Sequence, residues 1–132
     1  MLKNDWAGSK PDLVLPLDAA FTIPANLMEL TQEFVLPTHL DRPREISAVD
    51  LLPGTLAVVR DATIAARTAE GSLKNLGTWF PRQVPAATAL KPGTLLPAGA
   101  EIVTRIHYKK TWKYEGQALT DRSSVGLYFA GK

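Results

Sequence analysis

Turn-forming residues recur along the whole chain and set the first constraint on its fold. Ten prolines and nine glycines are spread over 132 residues, so few stretches are long enough for a helix of ordinary length. Short strands joined by turns are the arrangement that such spacing favours. We therefore expect an all-β protein of about seven or eight strands.

The clearest strand pattern runs from Glu101 to Lys109, directly after a Pro-Ala-Gly turn. Ile102, Thr104, Ile106 and Tyr108 alternate in it with residues that are mostly polar and include His107. Because side chains alternate between the two faces of a strand, this pattern predicts one face toward the core and one toward solvent.

Weaker patterns complete the expected architecture. Further strands are predicted at 12–17, 21–23, 33–37, 45–52, 55–66, 77–81 (strand or turn) and 125–129. Pro16 confines the first of these to a sheet edge or a strand end. A short helix is predicted at 26–31, with Asn26 and Glu29 spaced as in a capping box, and a polar loop at 70–75. No strand–helix–strand rhythm is present, so we expect one antiparallel β-sandwich of jelly-roll type over residues 1–132, with its core between about 12 and 130.

Composition excludes several classes of function. The chain has no cysteine, which excludes disulfides and thiolate chemistry. Its net charge of +2 is small and its basic residues are scattered, so neither nucleic acid nor an anionic membrane is predicted as a partner. The first residues lack the apolar core of a signal peptide, and no apolar run approaches the roughly 20 residues of a membrane span.

Two sites in the sequence raise chemical questions. Arg60 and Asp61 interrupt the centre of the strand predicted at 55–66, and strict alternation would place these charges on opposite faces. His107 is one of only two histidines; it is either a metal ligand or a histidine hydrogen-bonded on a sheet face, and the second is favoured because partner ligands are missing. His39 is expected in a surface loop, and a His39–His107 metal pair is the minor alternative.

Several phrases of the sequence, in their order, resemble one family. They are Pro53-Gly54 before a Val-Val strand, Trp79-Phe80-Pro81, Leu96-Pro97-Ala98-Gly99, Ile106-His107-Tyr108 and the run from Asp121 to Leu127. Together they are similar to the copper type II, ascorbate-dependent monooxygenases. The likeness is to bacterial domains related to the N-terminal half of the peptidylglycine α-hydroxylating enzymes, and it extends from about Asp12 onward.

The resemblance implies a jelly-roll sandwich whose copper is held by an adjacent His-His pair and a third histidine. His107 matches the third ligand, and the pair falls at about Arg60 and Asp61. Arginine cannot coordinate, and one carboxylate with one imidazole is a poor substitute for three imidazoles. These are therefore interpreted as vestigial ligand positions, where Arg60 or Asp61 would form an ion pair near His107. No cofactor is expected in this chain, although the resemblance admits copper.

Two further interpretations concern the remaining polar and aromatic residues. Asp121, Arg122 and Ser123 are expected to form a turn that fixes the last strand, rather than to join His107 in a hydrolytic triad. Trp112 and Tyr114 lie in a polar segment and, with Trp79, could form a surface for a carbohydrate or peptide; packing under the loop is an equal alternative.

We therefore expect a non-catalytic interaction or structural module, with no catalytic residue assigned and with this chain inactive by itself. Its partners would be other domains of a larger parent or another protein. The alternative is a copper-binding monooxygenase domain whose site is completed by another domain or chain. The resemblance implies an exported or periplasmic parent protein.

Overall fold

The computed structural model describes residues 6, 9–68, 70–83 and 86–131. These residues form eleven strands and two short 3₁₀ turns, without an α-helix, which confirms the all-β prediction. The strands are β1 (Leu13–Pro16), β2 (Phe21–Ile23), β3 (Glu29–Pro37), β4 (Arg44–Leu52), β5 (Val59–Arg67), β6 (Leu73–Trp79), β7 (Thr88–Ala89), β8 (Leu95–Leu96), β9 (Glu101–Lys109), β10 (Leu119–Asp121) and β11 (Ser124–Phe129); the 3₁₀ turns are Leu56–Val58 and Trp112–Tyr114. In this described part of the chain, no helix has the length and apolar character to cross a membrane.

The strands form two main antiparallel sheets. The first sheet has the order β1-β11-β4-β7, with β8 also paired to β4, and the second sheet has the order β3-β9-β5-β6. A small ribbon of β2 and β10 lies beside them. Neighbours in space thus come from distant parts of the chain, since β1 pairs with β11 and β3 with β9. This is the strand order of a jelly roll, as predicted.

The core lies between the two sheets. From the second sheet, Ile102, Ile106 and Tyr108 of β9 are fully buried, and from the first sheet Ile46 and Leu127 are equally inaccessible. Burying a side chain of this size contributes about 1.5–3 kcal/mol. The alternation predicted for β9 is therefore confirmed: its even-numbered residues face the core.

The helix predicted at 26–31 is wrong. Asn26 lies in a turn, and β3 begins at Glu29, whose backbone is in register with Lys109 of β9. The Glu29 side chain contacts His107, so its expected role in a capping box is not fulfilled. Pairing of all nine residues of β3 with β9 outweighs a capping preference that is worth only about 0.5–2 kcal/mol.

The boundaries of β5 and β6 also differ from the prediction. The polar residues assigned to a loop at 70–75 belong in part to β6, which starts at Leu73. The turn before it is closed by hydrogen bonds from the N–H of Thr68 to the carbonyl of Ser72 and from the N–H of Gly71 to the carbonyl of Thr68. Gly71 makes this tight turn possible with a φ of +90°. β6 is an edge strand, and polar side chains such as Lys74 are common on edges. Upstream, β5 starts only at Val59, after the first 3₁₀ turn.

Candidate functional site

A β-bulge explains the two adjacent charges in β5. Val59 is in register with Tyr108 and Asp61 with His107, so Arg60 is an extra residue without a partner on β9. Val59 and Ala62 are both buried, whereas Arg60 is exposed and Asp61 half-buried. The expectation that these charges lie on opposite faces of a regular strand is therefore wrong, because the bulge keeps both side chains at the surface.

His107 lies between two carboxylates on the outer face of the second sheet. Its Nδ1 is 3.0 Å from Oδ2 of Asp61, directly opposite on β5. Its Nε2 contacts the carboxylate of Glu29, which is diagonal to it on β3. We call Glu29, Asp61 and His107 the outer cluster. It joins three neighbouring strands, and the His107 side chain retains 27% of its exposure.

The electrostatics of the outer cluster favour the charged imidazole. Hydrogen bonds to Asp61 and then to Glu29 raise the pKa of His107 above its ordinary value. The hydrogen bond from His107 in turn lowers the pKa of Glu29. In the imidazolium form both ring nitrogens are donors, so neither has a lone pair to offer to a metal ion.

The residues expected at a copper site do not fit copper. The Arg60 guanidinium is a cation and has no lone pair with which to coordinate a metal ion. Both ring nitrogens of His107 are hydrogen-bonded to carboxylates. Across residues 6–131, apart from the few that the structure leaves out, no group of three His, Cys, Asp or Glu side chains is arranged to hold a metal ion.

The minor alternative of a His39–His107 pair is wrong. Thr31 of β3 is in register with His107, and Pro37 with Glu101, six residues farther along β9. At about 3.3 Å per residue, this separates the two histidines by roughly 20 Å. His39 lies beyond the far end of β3, exposed as predicted, with a left-handed φ of 58°.

A second set of polar residues lies on the inner side of β9. Tyr108 donates a hydrogen bond of 2.6 Å to Asp121, and the Ser123 hydroxyl donates to the same carboxylate. Asp121 also accepts the backbone N–H groups of Gly54 and Thr55, at 3.1 and 2.8 Å. We call Tyr108, Asp121 and Ser123 the inner cluster. All three side chains are buried, and burial is the first cause that raises the pKa of Tyr108.

The inner cluster confirms a structural role for the turn before β11. Asp121 binds backbone amides of the Pro53-Gly54 turn and so connects it to the start of the last strand. The contact requires glycine, because a Cβ at Gly54 would lie 2.6 Å from the carbonyl oxygen of Arg122. His107 points away from Asp121 and Ser123, and the three residues form no triad.

The aromatic residues do not form one surface. Trp79 is only 6% exposed and belongs to the core, so its assignment to a binding surface is wrong; its position facing Ala62 across β5 and β6 places it on the buried side. Trp112, in contrast, is 87% exposed, and Tyr114 beside it is half-buried.

Trp79 instead supports a buried carboxylate. Asp50 of β4 is 2% exposed and accepts hydrogen bonds from the backbone N–H of Leu51 and from the Trp79 side chain. Burial nevertheless raises the pKa of Asp50 to about 6. No hydroxyl group or cation contributes to this shift, in contrast to the inner cluster, where two hydroxyls donate to Asp121.

Sequence reasoning missed Glu29 as a member of the outer cluster and Asp50 as a buried carboxylate. A signal for Glu29 was present, since Leu30, Gln32, Phe34 and Leu36 alternate with exposed positions from Glu29 onward. Reading that period as a strand would have placed Glu29 beside His107. Asp50 has no comparable signal, because its cover comes from Trp79, a residue of another sheet.

Comparison of the whole chain with models of protein families finds no matching family, and comparison with curated proteins finds no match.

Proposed function

We propose that this domain is a non-catalytic interaction module, similar to the N-terminal domain of copper ascorbate-dependent monooxygenases, in which an ion cluster takes the place of copper. One observation carries the proposal: both ring nitrogens of His107 are hydrogen-bonded to carboxylates, those of Asp61 and Glu29. The only imidazole at the expected site is thereby committed to protein partners.

Copper binding at this position would have to overcome three opposing terms. His107 would lose a proton whose retention two carboxylates favour. It would also lose at least one hydrogen bond to them, and the cationic Arg60 stands beside Asp61. Copper ions prefer several neutral imidazoles, and one imidazole with carboxylates supplies much less.

The outer cluster has a modest structural role in this proposal. It connects β3, β9 and β5 across the outer face of the second sheet. Because its members are partly exposed, water weakens these ion pairs and they contribute little to stability. The module would belong to a larger exported protein and act through its partners rather than through chemistry of its own.

Titration with Cu(II), followed by EPR at neutral pH, tests the proposal. We expect no stoichiometric type II copper signal from the purified domain. One equivalent of such a signal, lost in His107→Ala but retained in His39→Ala, would overturn the proposal and favour a working copper domain. His39→Ala is the matched control because it removes the other histidine, at the far end of β3.

A further inference from the structure

The four strands of the second sheet end at one rim, and each end carries an exposed apolar side chain. In their order across the sheet, Met28 precedes β3, Trp112 follows β9, Leu56 precedes β5 and Phe80 follows β6. Leu27 lies beside Met28. We call these five residues the apolar rim. At about 4.8 Å between strands, the row is roughly 14 Å long.

The exposure of these side chains is concentrated at this rim. Trp112 is 87%, Leu56 53% and Phe80 52% exposed. Among the described residues, five of the nine large hydrophobic side chains that are exposed belong to the apolar rim. Single exposed apolar residues are ordinary, but such a concentration marks an interaction surface.

The loops that carry the rim are held in place. The Lys110 side chain donates hydrogen bonds to the carbonyl oxygens of Pro24 and Gln117, at 2.7 and 2.6 Å. These bonds join the loop of Met28 to the loop of Trp112. The Thr55 hydroxyl donates to the carbonyl of Thr120 and so anchors the turn of Leu56. The apolar tips are therefore presented by a rigid support.

Basic residues accompany the apolar tips. The segments 24–29, 53–61, 79–83 and 109–118 contain four exposed basic residues and three acidic residues. A fifth basic residue, Lys110, is buried and bonded to backbone carbonyls, so it adds no charge to the surface. Two of the acidic residues, Glu29 and Asp61, are already paired with His107. The surface around the apolar rim thus has a positive character, which is not evident from the scattered positions of the basic residues in the sequence.

Two arginines beside the apolar rim flank an open depression. Leu56, Pro81, Arg60 and Arg82 line an open hollow of about 420 Å³. The Arg60 side chain is exposed at the β-bulge, and Arg82 is exposed at the turn after β6. Guanidinium groups bind phosphate oxygens through paired N–H donors.

We infer that the apolar rim docks on an anionic lipid surface. Trp, Phe, Leu and Met side chains enter the boundary between headgroups and acyl chains, while Lys and Arg remain at the level of the headgroups. A row of separate tips with arginines between them suits a fluid headgroup layer, which needs no complementary shape. The inference rests on the proposed interaction role and names its partner.

Sedimentation with lipid vesicles at 0.1 M NaCl tests this inference. We expect the intact chain to bind phosphatidylcholine vesicles containing 30% phosphatidylserine and to bind pure phosphatidylcholine at least about tenfold more weakly. Trp112→Ala should weaken binding by about tenfold or more, and Arg60→Gln with Arg82→Gln by a similar factor.

The matched pair Leu56→Ala and Leu95→Ala locates the contact. The two leucines are 53% and 56% exposed, but Leu95 is in β8, in register with Glu45 near the start of β4, at the opposite end of the sandwich. Leu56→Ala should weaken vesicle binding several-fold, and Leu95→Ala should leave it unchanged. Quenching of tryptophan fluorescence by brominated lipid should be largely lost in Trp112→Phe.

Three results would overturn the inference. They are the absence of binding to anionic vesicles, equal effects of Leu56→Ala and Leu95→Ala, and a dimer in solution that Trp112→Ala dissociates. Copper binding is measured separately, so the two proposals fail independently. If the protein binds neither vesicles nor copper, only the lipid inference fails and the proposed metal-free module stands. If it gives a copper signal, that proposal fails whatever the vesicle experiment shows.

Discussion

The two sides of β9 carry polar clusters in opposite surroundings. His107 faces outward between Asp61 and Glu29, and the next residue, Tyr108, faces inward to Asp121. Each cluster connects several parts of the chain through a carboxylate. The outer cluster is partly exposed, so water can replace its hydrogen bonds. The inner cluster is buried, so water cannot replace the hydrogen bonds to Asp121. We therefore expect the inner cluster to dominate stability and the outer one to respond to solution conditions.

The largest expected effect is that of Asp121→Ala. The change removes the acceptor of the buried Tyr108 hydroxyl and of the Thr55 amide, and one of the acceptors of the Gly54 amide. We therefore expect a loss of about 3–5 kcal/mol in the free energy of unfolding. Urea denaturation measures it. Asp41→Ala, at an exposed loop position, is the control and should change stability by less than about 0.5 kcal/mol. A similar small loss for Asp121→Ala would show that the inner cluster does not organise the loops.

The second expected effect concerns Asp50, a buried carboxylate that accepts fewer hydrogen bonds than Asp121 does. Burial raises the pKa of Asp50 from its ordinary value of 3.8 to about 6. The folded state therefore binds the proton more tightly, and stability falls as pH rises from about 4 to about 6.

Replacement of Asp50 by the neutral isostere tests this point. Asp50→Asn should stabilise the protein at pH 7 by about 1–3 kcal/mol, and the stability lost by the wild type between pH 4 and 6 should be smaller in the variant. Thermal unfolding at a series of pH values measures both. A destabilised Asp50→Asn protein at pH 7 would mean that the ionised carboxylate is well accommodated, as in the inner cluster.

The smallest effect concerns the outer cluster. The pKa of His107 is raised by Asp61 and Glu29, so its contribution is fully present below its ordinary pKa of 6.5 and is lost as pH rises through the higher folded-state pKa. The stability difference between wild type and His107→Gln should therefore shrink above pH 6.5, from a maximum below about 1 kcal/mol. NMR titration of the imidazole should give a pKa above 6.5. A pKa below 6.5 would contradict the ion pairs of His107 and would favour the metal-ligand interpretation of this residue.

The two sides of β9 also differ in how far they can be derived from the sequence. The inward residues of β9 follow from a local rule, the alternation of side chains along a strand. The contacts of Asp121 do not, because this carboxylate accepts the N–H groups of Gly54 and Thr55, which are 67 and 66 residues away in the chain. The bulge at Arg60 does not, because one unpaired residue in a strand leaves no mark on composition. The position of Glu29 was not predicted because residues 26–29 match the sequence pattern of a helix cap. In the structure, the pairing of nine residues of β3 with β9 outweighs that local preference.

The apolar rim is beyond such local rules altogether. Met28, Leu56, Phe80 and Trp112 are far apart in the chain and come together only because their strands end at one edge of the same sheet. The basic residues that looked scattered are gathered by the same topology. Predicting the rim would require the order of the strands, which the hydrophobic pattern alone does not specify.

The pairing of β1 with β11 has a consequence for how the chain acquires its structure. During synthesis, β1 leaves the ribosome more than a hundred residues before its partner strand, and β4 also waits for β11. The first sheet can therefore close only late, and loop-closure entropy makes such non-local pairing slow, in the millisecond-to-second range. Until then the apolar faces of β1 and β4 are open to other chains, so association between unfinished chains competes with folding.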